Sequence, residues 1–187
     1  MPNNKKIKVL VVPSDGFGVG HWRSIWPHLK LQEMFPEEFD VEINPTPQWA
    51  NHSYFDNFDI IHFHKGLYQD METFRDALKY FKEKNITTVM DIDDYWEVGQ
   101  FHPLFHSSRT LKIAEKITGN FKYVDYVTTT TEIFANKIRK WNKNVVVFPN
   151  AIDPNDEQFK PIKNPSNKIR VGFVMCSSHK RYMEQIQ

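Results

Sequence analysis

Short runs of apolar residues alternate along this chain with segments whose apolar residues recur every three or four positions. Residues 8–13 (KVLVVP) predict a first buried strand. Residues 39–43 alternate apolar and charged side chains and predict a second, and 59–64 (DIIHFH) a third. Residues 87–92 (TTVMDI) predict a fourth that ends in acids, 123–129 a fifth, and 145–148 a sixth, buried strand. Between them, 21–34 has helical spacing, with Trp22, Ile25, Trp26 and Leu29 on one face and Pro27 as a source of kinking or shortening. Residues 70–84 predict an amphipathic helix through Met71, Phe74, Leu78 and Phe81. Residues 107–117 predict another with Gly119 as its stop, and 130–141 a last one with Thr130 or Thr131 as N-cap. Residues 44–58 and 93–106 read as loops rich in aromatics. Strands alternating with helices predict an α/β domain with a doubly wound, mostly parallel, Rossmann-like sheet.

Composition narrows the picture. The chain has 187 residues, enough for one well-buried domain plus a remnant. Its 40% hydrophobic and 25% charged residues fit a globular rather than a disordered chain. A net charge of +1 without a long basic block removes the simplest electrostatic argument for nucleic acid as a partner. No apolar run approaches membrane-spanning length, and the first residues lead straight into a short strand rather than a signal-peptide core. The single cysteine, Cys176, excludes an internal disulfide framework and fits a reducing cytoplasm.

In a parallel sheet of this kind ligands bind outside the carboxyl ends of the strands, and the chemically informative residues fall there. Gly16, Gly18 and Gly20, three of the seven glycines, follow the first strand. They either let backbone N–H groups approach an anion at a helix start or make a tight turn that binds nothing. The spacing is neither that of a dinucleotide fingerprint nor that of a Walker loop. His62 and His64 share one strand face, as metal ligands can, or serve as a core histidine and a strand-end cap. Asp91, Asp93, Asp94 and Glu97 concentrate carboxylates at the fourth strand's end, where they can accept hydrogen bonds from sugar hydroxyls or act as a base. Tyr95 and Trp96 are candidates to stack on a sugar ring, and His102 and His106 to line the same cleft. In the bland reading Asp94 caps a short helix and the other acids are solvated.

The run 145–153 (VVVFPNAID) ends a strand in Pro149-Asn150, and a polar, proline-punctuated stretch follows. Residues 1–150 therefore read as one domain, 151–168 as a linker, and 169–187 as the start of a second domain, beginning with a strand at Ile169.

Taken together, these residues resemble the N-terminal half of a GT-B glycosyltransferase, close to the retaining family 4 type. KVLVVPSDGFGVGHWR is similar to that family's first strand and glycine-rich loop. Asp59-Ile60-Ile61-His62-Phe63-His64 resembles its D-(apolar)2-H-x-H strand, and Tyr126 to Glu132 its strand leading to S/T-E. The run from Val147 to Asp153, followed by Phe159-Lys160-Pro161, resembles its interdomain seam, with Ala151 where a glycine is usual. The resemblance spans nearly the whole chain.

The resemblance implies transfer of a sugar from a nucleotide-sugar donor to a hydroxyl of a sugar or glycan acceptor, with no metal and no further cofactor. It implies acceptor binding by the N-terminal domain and donor binding mainly by a following one. Gly18, Gly20 and His21 would face the acceptor or the donor phosphates. Asp93, Asp94 and His102 would orient acceptor hydroxyls, and His64, Thr131, Glu132 and Asn150 would line the cleft. Ser177, Ser178, His179 and Lys180 would be what remains of the donor site. Only the first part of a donor domain is encoded, so residues 1–187 alone are expected to bind nucleotide sugar weakly and to need a missing C-terminal domain or a split partner chain. Two other functions stay open. One is a metal-dependent hydrolase using His62, His64, Asp91 and Asp93; the other is a non-catalytic carbohydrate-binding remnant.

Overall fold

A computed structural model describes residues 5–68, 70–160 and 167–169. Six strands form one all-parallel sheet: β1 (Ile7–Val12), β2 (Phe39–Ile43), β3 (Ile60–His64), β4 (Thr87–Ile92), β5 (Tyr126–Thr129) and β6 (Val145–Val147). Their spatial order is β2-β1-β3-β4-β5-β6. This is the Rossmann-like, doubly wound α/β architecture expected from the sequence. Chain order reverses at β1/β3.

Helices α1 (Trp26–Met34), α2 (His52–Phe55), α3 (Met71–Glu83), α4 (Phe105–Thr110), α5 (Ile113–Asn120) and α6 (Glu132–Ile138) fill the connections. The Asp70 carboxylate caps α3 by accepting from the Glu72 and Thr73 N–H groups. Thr131 does the same for α6 through Phe134 N–H.

Alternation along the strands gives the sheet two different faces. Leu10, Val12, Ile61, Phe63, Met90, Ile92 and Val127 join the core cluster that also holds Phe74, Leu78 and Phe81 of α3 and Ile117 of α5. Trp49 enters it from the β2–α2 loop, its ring stacked 5.4 Å from Phe55 and edge-on to Phe74 at 4.8 Å. The opposite face carries Val9, Val11, His62, His64, Asp91 and Thr128, where the register sets His64 beside Asp91 and Asp91 beside Thr128.

Several elements differ from expectation. The first helix starts as a π-helical turn, His21–Ile25, before α1. Pro27 has no N–H to continue an ordinary ladder, which fits its place at the junction. The buried side chains of this segment are Arg23 and Ser24, while Leu29 is exposed. The helix predicted over 107–117 breaks at Lys112, whose φ is 52°, and α5 runs through Gly119 instead of ending there. A Cβ at Gly119 would lie 2.7 Å from the Arg75 guanidinium, so this glycine makes room for a crossing side chain. β6 is an edge strand with Val146 exposed, not a buried one. The seam folds back after it, and a short 3₁₀ turn, Glu157–Phe159, brings Phe159 to 5.8 Å from the Trp22 ring. Of the strand expected from Ile169, only Ile169 itself is described, and it is exposed and in no strand; the rest lies outside the described residues. Among the described residues no helix is long and apolar enough to cross a membrane.

Candidate functional site

Charged side chains converge at the carboxyl ends of β1, β3 and β4. Arg23 is 4% exposed and forms a two-pronged pair with Asp91, Nε to Oδ2 at 3.0 Å and Nη2 to Oδ1 at 2.6 Å. Thr128 donates a further bond to Asp91 Oδ1. The remaining prong of Arg23, Nη1, reaches the Phe148 carbonyl at 2.5 Å and Asn150 Oδ1 at 3.1 Å. One guanidinium therefore ties the end of β4 to the seam beyond β6. Arg23 was not singled out from the sequence, because a lone arginine beside two tryptophans carries no motif. Its signal lay only in a helical register that buries positions 23 and 24.

His64 is 3% exposed and sits between two loops. Its Nε2 lies 2.9 Å from Asp93 Oδ1, and its Nδ1 lies 2.6 Å from the Ser14 hydroxyl. Lys65 Nζ approaches Asp93 at 3.0 Å and Asp94 at 3.2 Å. Burial by itself would raise the Asp93 pKa, but the His64 hydrogen bond and the Lys65 charge outweigh it and hold the carboxyl well below the usual range. Asp93 is therefore a carboxylate and accepts a hydrogen bond from His64 Nε2.

The glycine-rich loop is occupied by its own acid. The Asp15 carboxylate accepts N–H bonds from Gly18 at 2.6 Å and from Phe17 and Gly20 at 3.1 Å. Burial opposes ionisation, yet these bonds and the Ser14 hydroxyl outweigh it and lower its pKa. A Cβ on Gly20 would stand 2.4 Å from the Asp15 carbonyl oxygen, so Gly20 allows the loop to close on itself. The loop closes as a tight turn in which the Phe17, Gly18 and Gly20 amides all bond the Asp15 carboxylate.

Two clefts flank the His64–Asp93 pair. The first, of about 830 Å³, lies against the seam; Gly18, Trp22, Trp26, Asp93, Phe148 and Asn150 are among its walls. The second, of about 1080 Å³, is walled by Lys65, Asp94, Tyr95, Glu97, His102 and Leu104 among others. The three residues expected to orient acceptor hydroxyls are thus divided. Asp93 opens on the seam cleft, whereas Asp94, 73% exposed, and His102 line the second.

Other expected positions fall elsewhere. His21 packs against the Trp22 and Trp26 rings and lines neither cleft. Gly20 is buried behind its loop. Thr131 caps α6, and Glu132 is an exposed partner of Arg139. Trp96 is 5% exposed, packs edge-on against Phe121 and Trp141, and lines the second cleft. Tyr95 reaches the cleft, with Lys137 Nζ 4.0 Å from its ring centre. Ser177, Ser178, His179 and Lys180 lie outside the described residues.

His62 shares a face with His64 but not its role. Its ring lies 4.5 Å from that of His28, which bonds the Ser24 carbonyl through Nδ1 at 2.7 Å. Burial lowers the pKa of both, and for His62 the neighbouring positive groups add to the shift. Among the described residues no group of three or more His, Cys, Asp and Glu side chains is arranged to hold a metal ion. His64 and Asp93 bond each other, and Asp91 is held by Arg23.

No family model and no curated protein matches this chain.

Proposed function

We propose that this chain is the acceptor-binding part of a GT-B glycosyltransferase of the family 4 type, which moves a sugar from a nucleotide sugar to a hydroxyl of a sugar or glycan. The observation that carries the reading is the second cleft. It opens beyond the carboxyl end of β4, and Asp94, Glu97, His102 and Lys65 stand among its walls beside Tyr95, Leu67 and Val98. Such groups suit polyhydroxylic ligands, which need many directed hydrogen bonds and little net charge. The Arg23 link from Asp91 to Phe148 and Asn150 adds support, because it fixes the seam relative to the sheet edge where a donor domain would meet it. The closed Asp15 loop fits a division of labour in which donor phosphates are held mainly by the following domain.

The test is saturation-transfer NMR of residues 1–187 with a panel of mono- and disaccharides. The expected result is transfer to at least one saccharide, reduced at least about tenfold in affinity by Asp94→Ala together with His102→Ala, roughly the loss of one hydrogen bond to a charged group. A folded protein that contacts no saccharide at millimolar concentration overturns the reading. If saccharides bind but a longer chain including the donor region transfers no sugar, the non-catalytic carbohydrate-binding alternative takes its place.

A further inference from the structure

Ser14 stands at the carboxyl end of β1, at the point where the sheet order reverses, and its residue is exposed. Its Oγ is 2.6 Å from His64 Nδ1, and His64 Nε2 is 2.9 Å from Asp93 Oδ1. His64 is 3% exposed, and the Asp93 side chain is 9% exposed. A hydroxyl, a base within hydrogen-bond reach, and a buried carboxylate orienting that base are the three parts of an activated nucleophile. The ring nitrogens are exchanged relative to the serine-protease arrangement: here the carboxylate takes Nε2 and the hydroxyl faces Nδ1. Neither the saccharide cleft nor the seam requires this line of contacts.

We propose that Ser14, His64 and Asp93 form a proton relay that makes the Ser14 hydroxyl a nucleophile toward carboxylic esters. Ser14 Oγ attacks the ester carbonyl carbon as its proton passes to His64 Nδ1. The bond from that carbon to the alkoxy oxygen breaks, and the leaving alcohol takes the proton from His64. Water, deprotonated by the same nitrogen, then releases the acid and restores the serine. Asp93 touches no substrate and acts as a positioning residue, holding the tautomer whose Nδ1 is free to accept.

The substrate class follows from what surrounds Ser14. The Phe17, Gly18 and Gly20 amides are bound to Asp15, so they do not form an oxyanion hole. A relay with a base and little oxyanion stabilisation acts on esters with good leaving groups, not on amides. Ser14 Oγ donates to Asp15 Oδ2 at 3.1 Å, so the relay requires the hydroxyl to turn its proton to His64 Nδ1, 2.6 Å away.

The experiment is reaction of residues 1–187 with 4-nitrophenyl acetate, reading nitrophenolate release and locating the acetyl group by peptide mass. The expected result is an acetyl group on Ser14, absent in Ser14→Ala. His64→Gln slows its formation about a hundredfold or more, the usual worth of a general base. Asp93→Asn slows it at least about tenfold while circular dichroism stays unchanged, because an amide no longer fixes the tautomer. Acetylation confined to lysines, or a Ser14 rate unaltered in folded His64→Gln, overturns the proposal. Should His64→Gln not fold, Asp93→Asn and Ser14→Ala decide it. The outcome is separate from saccharide binding, which reads Asp94 and His102.

Discussion

On one face of the sheet Leu10, Phe63, Met90 and Val127 meet the aromatic side chains of α3 and the loops around it. On the other, His62, His64 and Asp91 meet Arg23, Ser24 and His28 beneath the first helix. Both faces are buried, but they are held differently. The aromatic face is non-directional, so its stability follows from area and fit. The polar face depends on particular partners: Arg23 with Asp91, His64 with Asp93. The same low dielectric that strengthens a satisfied pair makes each member costly once its partner is removed. A face built that way is fragile to single changes, and through Arg23 it borders the seam cleft, whereas Ile92, Trp96 and Ile117 of the aromatic core wall the second.

The sharpest way to break the contrast is at Arg23. Arg23→Ala leaves the Asp91 charge buried and unpaired and is expected to cost about 3–5 kcal/mol in chemical denaturation. Replacing both partners, Arg23→Met with Asp91→Leu, is expected to cost clearly less than the sum of the single changes. Additive losses would show that the two side chains do not act as a pair. On the aromatic face Phe81→Ala, at a side chain with no exposure, is expected to cost about 3–5 kcal/mol as well. No second substitution across that face should restore stability, apart from one that refills the volume.

Acid titration distinguishes groups within the polar face. The Asp93 pKa is lower folded than unfolded, so its contribution is complete above its ordinary value of 3.8 and is lost as pH falls below that. Asp93→Asn should therefore flatten the stability–pH curve on that acid limb. His62 and His28 are also depressed, from 6.5, so protonation favours the unfolded chain and stability declines as pH drops below about 6.5. His62→Leu should remove part of that earlier decline. At neutral pH it is the smallest effect, within about 1 kcal/mol or stabilising, because His62 Nδ1 is buried without a partner among the described residues. A large loss on His62→Leu would show that the imidazole makes a bond that the leucine cannot replace.

Much of the fold was legible as pattern. The six strands and the amphipathic helix through Phe74, Leu78 and Phe81 follow from local periodicity, which reflects burial on one face of each element. The acids after β4 were likewise visible, since the ends of strands in a parallel sheet are where ligands bind. The errors share a cause. Trp22 and Leu29 read as a buried face, but Pro27 and the π-helical turn rotate the segment until Arg23 and Ser24 point inward. Gly119 read as a stop, but it gives space to Arg75 from another helix.

The sequence by itself determined an α/β domain with a parallel sheet and the acids and histidines at its strand ends. Those properties depend on neighbours a few residues apart. Only the tertiary structure decided that Ser14 meets His64 across 50 positions, that Arg23 joins Asp91 to Asn150, and that Asp93 and Asp94 face different clefts. Pairings over such separations are set by strand order and register, and no local pattern records them.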